Sequence, residues 1–473
     1  MTRFTIMTSL LVAAAACGDN ADNTPPATPD GPIVPPGIDA SNPPPIDGPP
    51  MTPPTGETIT LTDDITADRT LTANNLYIIP RMKQLFVKGG ATLTIEPGTV
   101  IQGDQGAVLV ITRGSKINAA GTVDKPIVLT TTQPAGQKTA GWWGGLLVLG
   151  AAPVNVNKLS EPSSDEATFE AFTSAQPEGK FGGTAPHDNS GVIKYVRIEF
   201  AGFNFVNDRE FNNFTLCGVG DATTVDFVQL HGGSDDGIEI FGGTVNVKHI
   251  VSSQNQDDGF DTDNGWQGKA QFVIIQNIAH PATLPEASNG YESDNHGTAS
   301  SYAAEPRTLP TVSNVTLIGD HDFAGGLNWA AIFRRGTGGH YINHIWFNFQ
   351  KGPEIRDAQT AAQVTAGNLS VTYSMLFNND IIASNLPPPQ AAADIDETTV
   401  FNAASHDQFN VDPGLPAAAT SRTAPDFKPV ANAAALTAGT TPPADPFFDA
   451  SATFAGAIGT VDWTTGWTAY PQS

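Results

Sequence analysis

Asp236-Gly-Ile-Glu-Ile-Phe-Gly-Gly243, Asp258-Gly-Phe-Asp-Thr-Asp-Asn-Gly265 and Asn289-Gly-Tyr-Glu-Ser-Asp-Asn-His-Gly297 are three versions of one phrase. The first two stand 22 residues apart and match position for position: Asp235 with Asp257, Glu239 with Asp261, Phe241 with Asp263. A period of this size marks a solenoid, in which each repeat is one coil that buries its apolar side only against its neighbours.

Strands recur around the phrase. Tyr195-Val-Arg-Ile-Glu-Phe200, Phe227-Val-Gln-Leu-His231, His249-Ile-Val-Ser252, Phe272-Val-Ile-Ile275, Asn314-Val-Thr-Leu-Ile318 and Asn343-His-Ile-Trp-Phe347 read as one strand repeated, centred on Val196, Val228, Ile250, Val273, Val315 and Ile345. No long stretch has helical periodicity, and short Val/Ile/Leu/Thr runs are broken by Gly, Asn or Asp throughout. The expected fold is all-β: a right-handed parallel β-helix over 58–400, handed by the bias of parallel crossovers. Spacings above 22 predict loop insertions at 154–190, 280–290 and 299–311, on the rim where binding loops usually sit. Residues 401–473, rich in Ala, Pro and Thr, are expected to cap the last coil.

Lys+Arg total 23 against 48 Asp+Glu, a net charge of −25. That balance excludes nucleic acid and anionic membrane surfaces as partners of the folded body and favours cations and neutral polymers. Residues 1–16 read as a signal peptide: Arg3, then an apolar run from Ile6 to Ala16 that is too short to span a bilayer. The run ends in Ala14-Ala15-Ala16-Cys17, which resembles a bacterial lipobox with Ala14 in place of the usual Leu. Cys17 is the expected lipidation site, with an ordinary secretory signal as the alternative. Residues 17–57 continue as a tether; 13 prolines between Ala21 and Gly56 favour extended polyproline II over a core. Anchor and tether together predict an exported protein held at the outer membrane or cell surface. Cys217 is expected to be a small buried residue.

Leu93-Thr-Ile-Glu-Pro-Gly-Thr-Val-Ile101, Lys116-Ile-Asn-Ala-Ala-Gly-Thr-Val-Asp-Lys-Pro-Ile127, Trp143-Gly-Gly145, Ser190-Gly-Val-Ile-Lys-Tyr-Val-Arg-Ile-Glu-Phe-Ala-Gly202, Phe241-Gly-Gly-Thr-Val245 and the closing Trp463-Thr-Thr-Gly-Trp467 are similar to a family of β-helical lipoproteins of myxobacteria and Bacteroidetes. The similarity covers roughly residues 58–470. It implies a fold and a location and transfers no catalytic residue.

In-register stacking turns the phrase into columns of acids. Glu239, Asp261 and Glu292 form one, Asp263 and Asp294 another, and Asp235 and Asp257 a third, which Asp322 could continue. Carboxylates about 5 Å apart repel by roughly 3 kcal/mol at an effective dielectric near 20, so such columns need compensation. The cation favoured by the oxygen-rich side chains is calcium, with Asp235, Asp236, Asp257, Asp258, Asp261, Asp263, Glu292 and Asp294 as candidate ligands. Two other readings compete. Asp-Gly and Asn-Gly are also turn formers that need no ion, and Arg334, Arg335 and Arg356 in later coils could neutralise the stripe. As an enzyme, a polysaccharide lyase or glycoside hydrolase, the chain offers Asp257, Asp258, Asp261, Asp294, His296 and Arg334, without the strings of polygalacturonase-like sites. Trp266, Tyr291, Trp329, Phe333 and Trp346 are expected mainly in the core, with a sugar-stacking platform as the alternative. The favoured function is binding or adhesion to polysaccharide or another extracellular surface. A passive structural surface protein is the remaining class.

Overall fold

The computed structural model describes residues 54–156, 165–205, 210–278, 289–322, 328–379 and 395–472. The signal peptide, Cys17 and nearly all of the tether lie outside these residues, as does most of the insertion expected at 280–290.

Parallel strands stack coil upon coil as the sequence predicts. One sheet of nine short strands runs from Gln84–Val87 through Ile238–Phe241, Phe260–Asp263 and Tyr291–Ser293 to Lys351–Ile355. The rest of each coil belongs to a 16-stranded sheet. Its long members, including Thr224–His231, Asn246–Ser253 and Lys269–Gln276, are bent in the middle. Before the bend they continue the Arg69–Leu71, Thr92–Ile95, Lys116–Ala120 column, and after it the Leu76–Ile79, Val100–Gly103, Ile127–Thr131 column. The cross-section is therefore three-sided.

The bend falls on a residue in the left-handed region: Tyr195 (φ 50°), Phe227 (55°), His249 (51°), Phe272 (61°), Asn314 (58°) and Asn343 (61°). Asn is the side chain that tolerates this conformation best. The aromatic positions recover part of the strain by stacking, Tyr195 on Phe227 at 4.4 Å, Phe227 on His249 at 4.1 Å and His249 on Phe272 at 5.0 Å between ring centroids. The bend also corrects one assignment. Val315 pairs with His344, while Ile345 pairs with Thr316, because the residue following the bend defines the row and Asn343 is the bend.

Inside the coils, alternate residues such as Ile238, Ile240, Val228, Ile250, Val273 and Val315 form one continuous core, closed at its far end by Phe401, edge-on to Trp346. Trp266, Tyr291, Phe333 and Trp346 are part of this core, and Trp329 is buried. They are core rings, and none offers a sugar platform. Cys217 is a buried free thiol.

Among the described residues, the insertion at 154–190 does not project from the rim. Its short antiparallel pair, Ala167–Thr168 with Lys180–Phe181, brings Phe169, Phe172 and Phe181 onto the outer side of the nine-stranded sheet, against Val110, Leu147, Leu149, Phe211 and Phe241. The C-terminal segment also departs from expectation. Gln408–Phe409 adds one pairing to the end of the stack, but the chain beyond lies along the flank of the long strands, where Ala419, Phe427, Ala457, Ile458 and Trp467 pack on Val251, Ile274 and Ile318.

Candidate cation site on the outer face of the short-strand sheet

One outward row of the nine-stranded sheet reads, coil by coil, Phe86, Val110, Leu147, Thr215, Glu239, Asp261, Glu292, Ile332, Glu354. The phenylalanine-rich insertion covers its apolar start. The middle is acidic, in the register expected: Glu239 beside Asp261, and Asp261 beside Glu292.

Asp236 and Asp258 sit just before these strands and have a structural task. The Asp258 N–H donates to Asp236 Oδ1 at 2.9 Å and the Asn289 N–H to Asp258 Oδ1 at 2.8 Å. The Asp236 N–H donates to Asn212 Oδ1 at 3.2 Å and the Trp329 N–H to Asn289 Oδ1 at 3.3 Å. Each side chain satisfies the backbone of the next coil, where the turn leaves the sheet ladder. For Asp258 the turn reading accounts for the acid. It does not account for what surrounds it.

Ligand oxygens of Asp236, Glu239 and Asp261 all lie within 4.8 Å of one another, as do those of Asp235, Asp236 and Asp257. The first trio is buried, and both Glu239 Oε1 and Asp261 Oδ1 are enclosed with no hydrogen-bond partner. Asn212 Nδ2 donates to the other Glu239 oxygen at 2.6 Å. Burial, then the neighbouring carboxylates, pushes Asp235, Asp236, Glu239 and Asp261 well above the usual carboxylate range. Burial raises Asp258 to about 7 and Glu292 to about 8, against the pull of Arg334. Without a cation the stripe must hold protons. With one, the enclosed oxygens gain the partner they lack.

Arginine compensates only the later end. Arg334 follows Asp294 in register, its N–H donating to Ser293 O at 3.0 Å. Its guanidinium binds Asp294 at 3.0 Å and also Glu292, and Arg335 reaches Asp294 at 2.8 Å. Burial opposes the Arg334 charge, but Asp294 and Glu292 outweigh it and drive its pKa upward. Arg356 comes next in register and pairs with Glu354 at 2.7 Å, so along the axis the unpaired acids give way to arginine–carboxylate pairs, and not to the basic face expected.

The candidates divide accordingly. Asp235, Asp236, Asp257 and Asp261 converge. Asp263 lies beyond Asp261 on the same strand, opposite Phe241, and Asp294 and Glu292 belong to the arginine end. His296 turns Nδ1 toward the Thr298 N–H at 3.0 Å. Asp322 is no continuation of the Asp235 column: its side chain is 98% exposed and pairs with His321. The sequence placed Glu239 in the acidic column yet left it out of the ligand set. It gave no sign of Glu170 and Glu210, whose charges add to the field on Asp235 and which lie on segments outside the repeat.

A family model described as a pectate-lyase-like beta helix domain matches residues 63–423. The chain belongs to this family. No curated protein and no solved structure matches it. The match over this pectate-lyase-like β-helix takes in the whole acidic stripe and stops at residue 423, inside the flank segment.

Proposed function

We propose that this pectate-lyase-like β-helix is a calcium-dependent surface binding protein, held to the cell envelope by a lipid on Cys17 and a Pro-rich tether, that adheres to polysaccharide or a comparable extracellular surface. The observation that carries it is the pair of enclosed, unpartnered oxygens of Glu239 and Asp261 beside Asp236. Calcium suits the site because it accepts six to eight oxygens in flexible geometry, and carboxylates supply them here. Asp235 and Asp257 extend the oxygen set toward solvent. The resemblance to β-helical lipoproteins and the Ala14-Ala15-Ala16-Cys17 string support the anchor.

The test has three parts. Calcium is expected to raise the melting temperature and chelator to lower it; retention on a glycan array is expected with calcium and lost without it. A Cys17→Ser chain is expected to leave the membrane fraction. No calcium-dependent shift together with no glycan retained would remove the proposal.

One observation favours an enzymatic second reading. Glu292, partly exposed with its pKa raised to about 8 by burial against the pull of Arg334, pairs in register with Asp261, and a glycoside hydrolase working at this face would take Glu292 as its acid. A lyase gains no such support, since Arg334 is tied to two carboxylates with its pKa raised and is a poor base. Reducing-sugar release abolished by Glu292→Gln would favour hydrolysis; silence on acidic and neutral glycans would leave binding alone.

A further inference from the structure

We propose that residues 411–472 form a detachable strap on the flank of the long-strand sheet, bound in cis as a peptide ligand is bound and able to leave without unfolding the coils. The central core includes no residue beyond Phe409. Everything the later segment packs against belongs to separate clusters on the outside of the coils, with Val251, Ile274 and Ile318 in one and Ile345 and Met375 in another. The coil ladder is complete without it: each long strand pairs with its neighbours from Gly191–Glu199 to Gly339–Phe347.

The mode of attachment is that of a bound peptide. After Gln408–Phe409, no strand pairing joins the segment to the sheet among the described residues. Side-chain carboxamides on successive coils read its backbone instead. Gln229 accepts from the Ala469 N–H at 2.9 Å and donates to Ala469 O at 2.6 Å. Asn343 accepts from the Thr440 N–H at 2.8 Å and donates to Thr440 O at 2.7 Å. Gln276 donates to Ala419 O and Ser421 O, both at 2.8 Å, and Asn314 to Phe454 O at 2.8 Å. A carboxamide carries a donor and an acceptor side by side, so it can mimic one peptide unit of a missing strand. Specificity comes from Trp467, buried edge-on to Tyr195 and Phe227, and from Trp463, edge-on to Phe227 and His249. The surface thus fits an Ala- and Pro-rich chain, folded in short turns such as Ala417–Thr420 and Ala435–Ala438, that bears two Trp four residues apart.

A protease site placed between Asn410 and Pro413 of the full chain tests this. After cleavage the 411–472 segment is expected to leave in mild denaturant before the β-helix melts. The stripped body is then expected to take up a fluorescent 411–472 peptide saturably, and Gln229→Ala with Gln276→Ala to weaken that uptake at least about tenfold. Hydrogen exchange on the uncut chain gives a second readout, with amides of 411–472 opening while 224–231 and 246–253 stay protected. A single transition in which segment and coils are lost together, or a folded stripped body that ignores the peptide, would overturn the proposal.

Discussion

The two outer faces of this solenoid solve one problem in opposite ways. Both bury polar side chains contributed by several coils. Along the long strands these are neutral carboxamides from different rows, Gln229, Gln276, Asn314 and Asn343, and the C-terminal segment meets each with a backbone partner. On the short-strand sheet the repeated groups are carboxylates, and burial leaves oxygens of Glu239 and Asp261 unanswered. The difference teaches that buried polar side chains are tolerated according to what lies against them. The flank carboxamides find backbone partners within the chain, with Gln276 Oε1 alone among them left over, whereas the acidic face sets like charges side by side, where the proposed cation would answer them.

The largest way to break that contrast is Trp467→Ala, which empties a fully enclosed site between segment and flank. A loss of about 3–5 kcal/mol is expected in the anchoring of the segment, read as its earlier release in denaturant with little change in the coils. Arg334→Ala acts on the other face. It leaves Glu292 without its guanidinium and Asp294 with Arg335 alone, and in chelator a cost of about 3 kcal/mol is expected in chemical denaturation, partly recovered by calcium. Asn343→Ala strands the Thr440 N–H and carbonyl and should cost about 1–3 kcal/mol, unaffected by calcium.

Proton dependence sharpens the comparison further. In the cation-free protein Asp258, at about 7, and Glu292, at about 8, bind protons more tightly folded than unfolded. The folded state then holds more protons, and its stability falls as pH rises. Melting temperature in chelator should decline from about pH 4, where the unfolded carboxyls ionise, to about pH 8, and the gain on adding calcium should grow over the same interval. Stability that rises with pH there would place the carboxyls outside the low-dielectric stripe.

Much of this was legible because two copies of the phrase are of equal length. Asp236 and Asp258 keep register without a gap, which exposed the acidic columns and the pairing of Glu239 with Asp261. Where the repeat loosens, the reading slipped. Ile345 is the central residue of its string, although the physical marker is the left-handed residue before the row, Asn314 and then Asn343. Glu170 and Glu210 lie off the repeat, so no periodicity could bring them near Asp235. The ladder of Asp and Asn side chains onto the next coil's N–H groups was hidden too, since Asp-Gly signals a turn without saying what the carboxylate accepts. The flank segment has no period at all. Its partners are scattered over many coils, and composition alone suggested a cap.

The central claim concerns the acidic face and rests on Glu239 and Asp261. Calorimetric titration with calcium, alongside thermal melts of the natural chain and of a Glu239→Gln, Asp261→Asn chain, tests it directly. The natural chain is expected to bind with saturation and to melt higher with calcium than in chelator. The doubly substituted chain should lose that response, yet melt above the natural chain in chelator, because two buried acids have been neutralised. A natural chain whose heat signal and melting temperature ignore millimolar calcium would contradict the account.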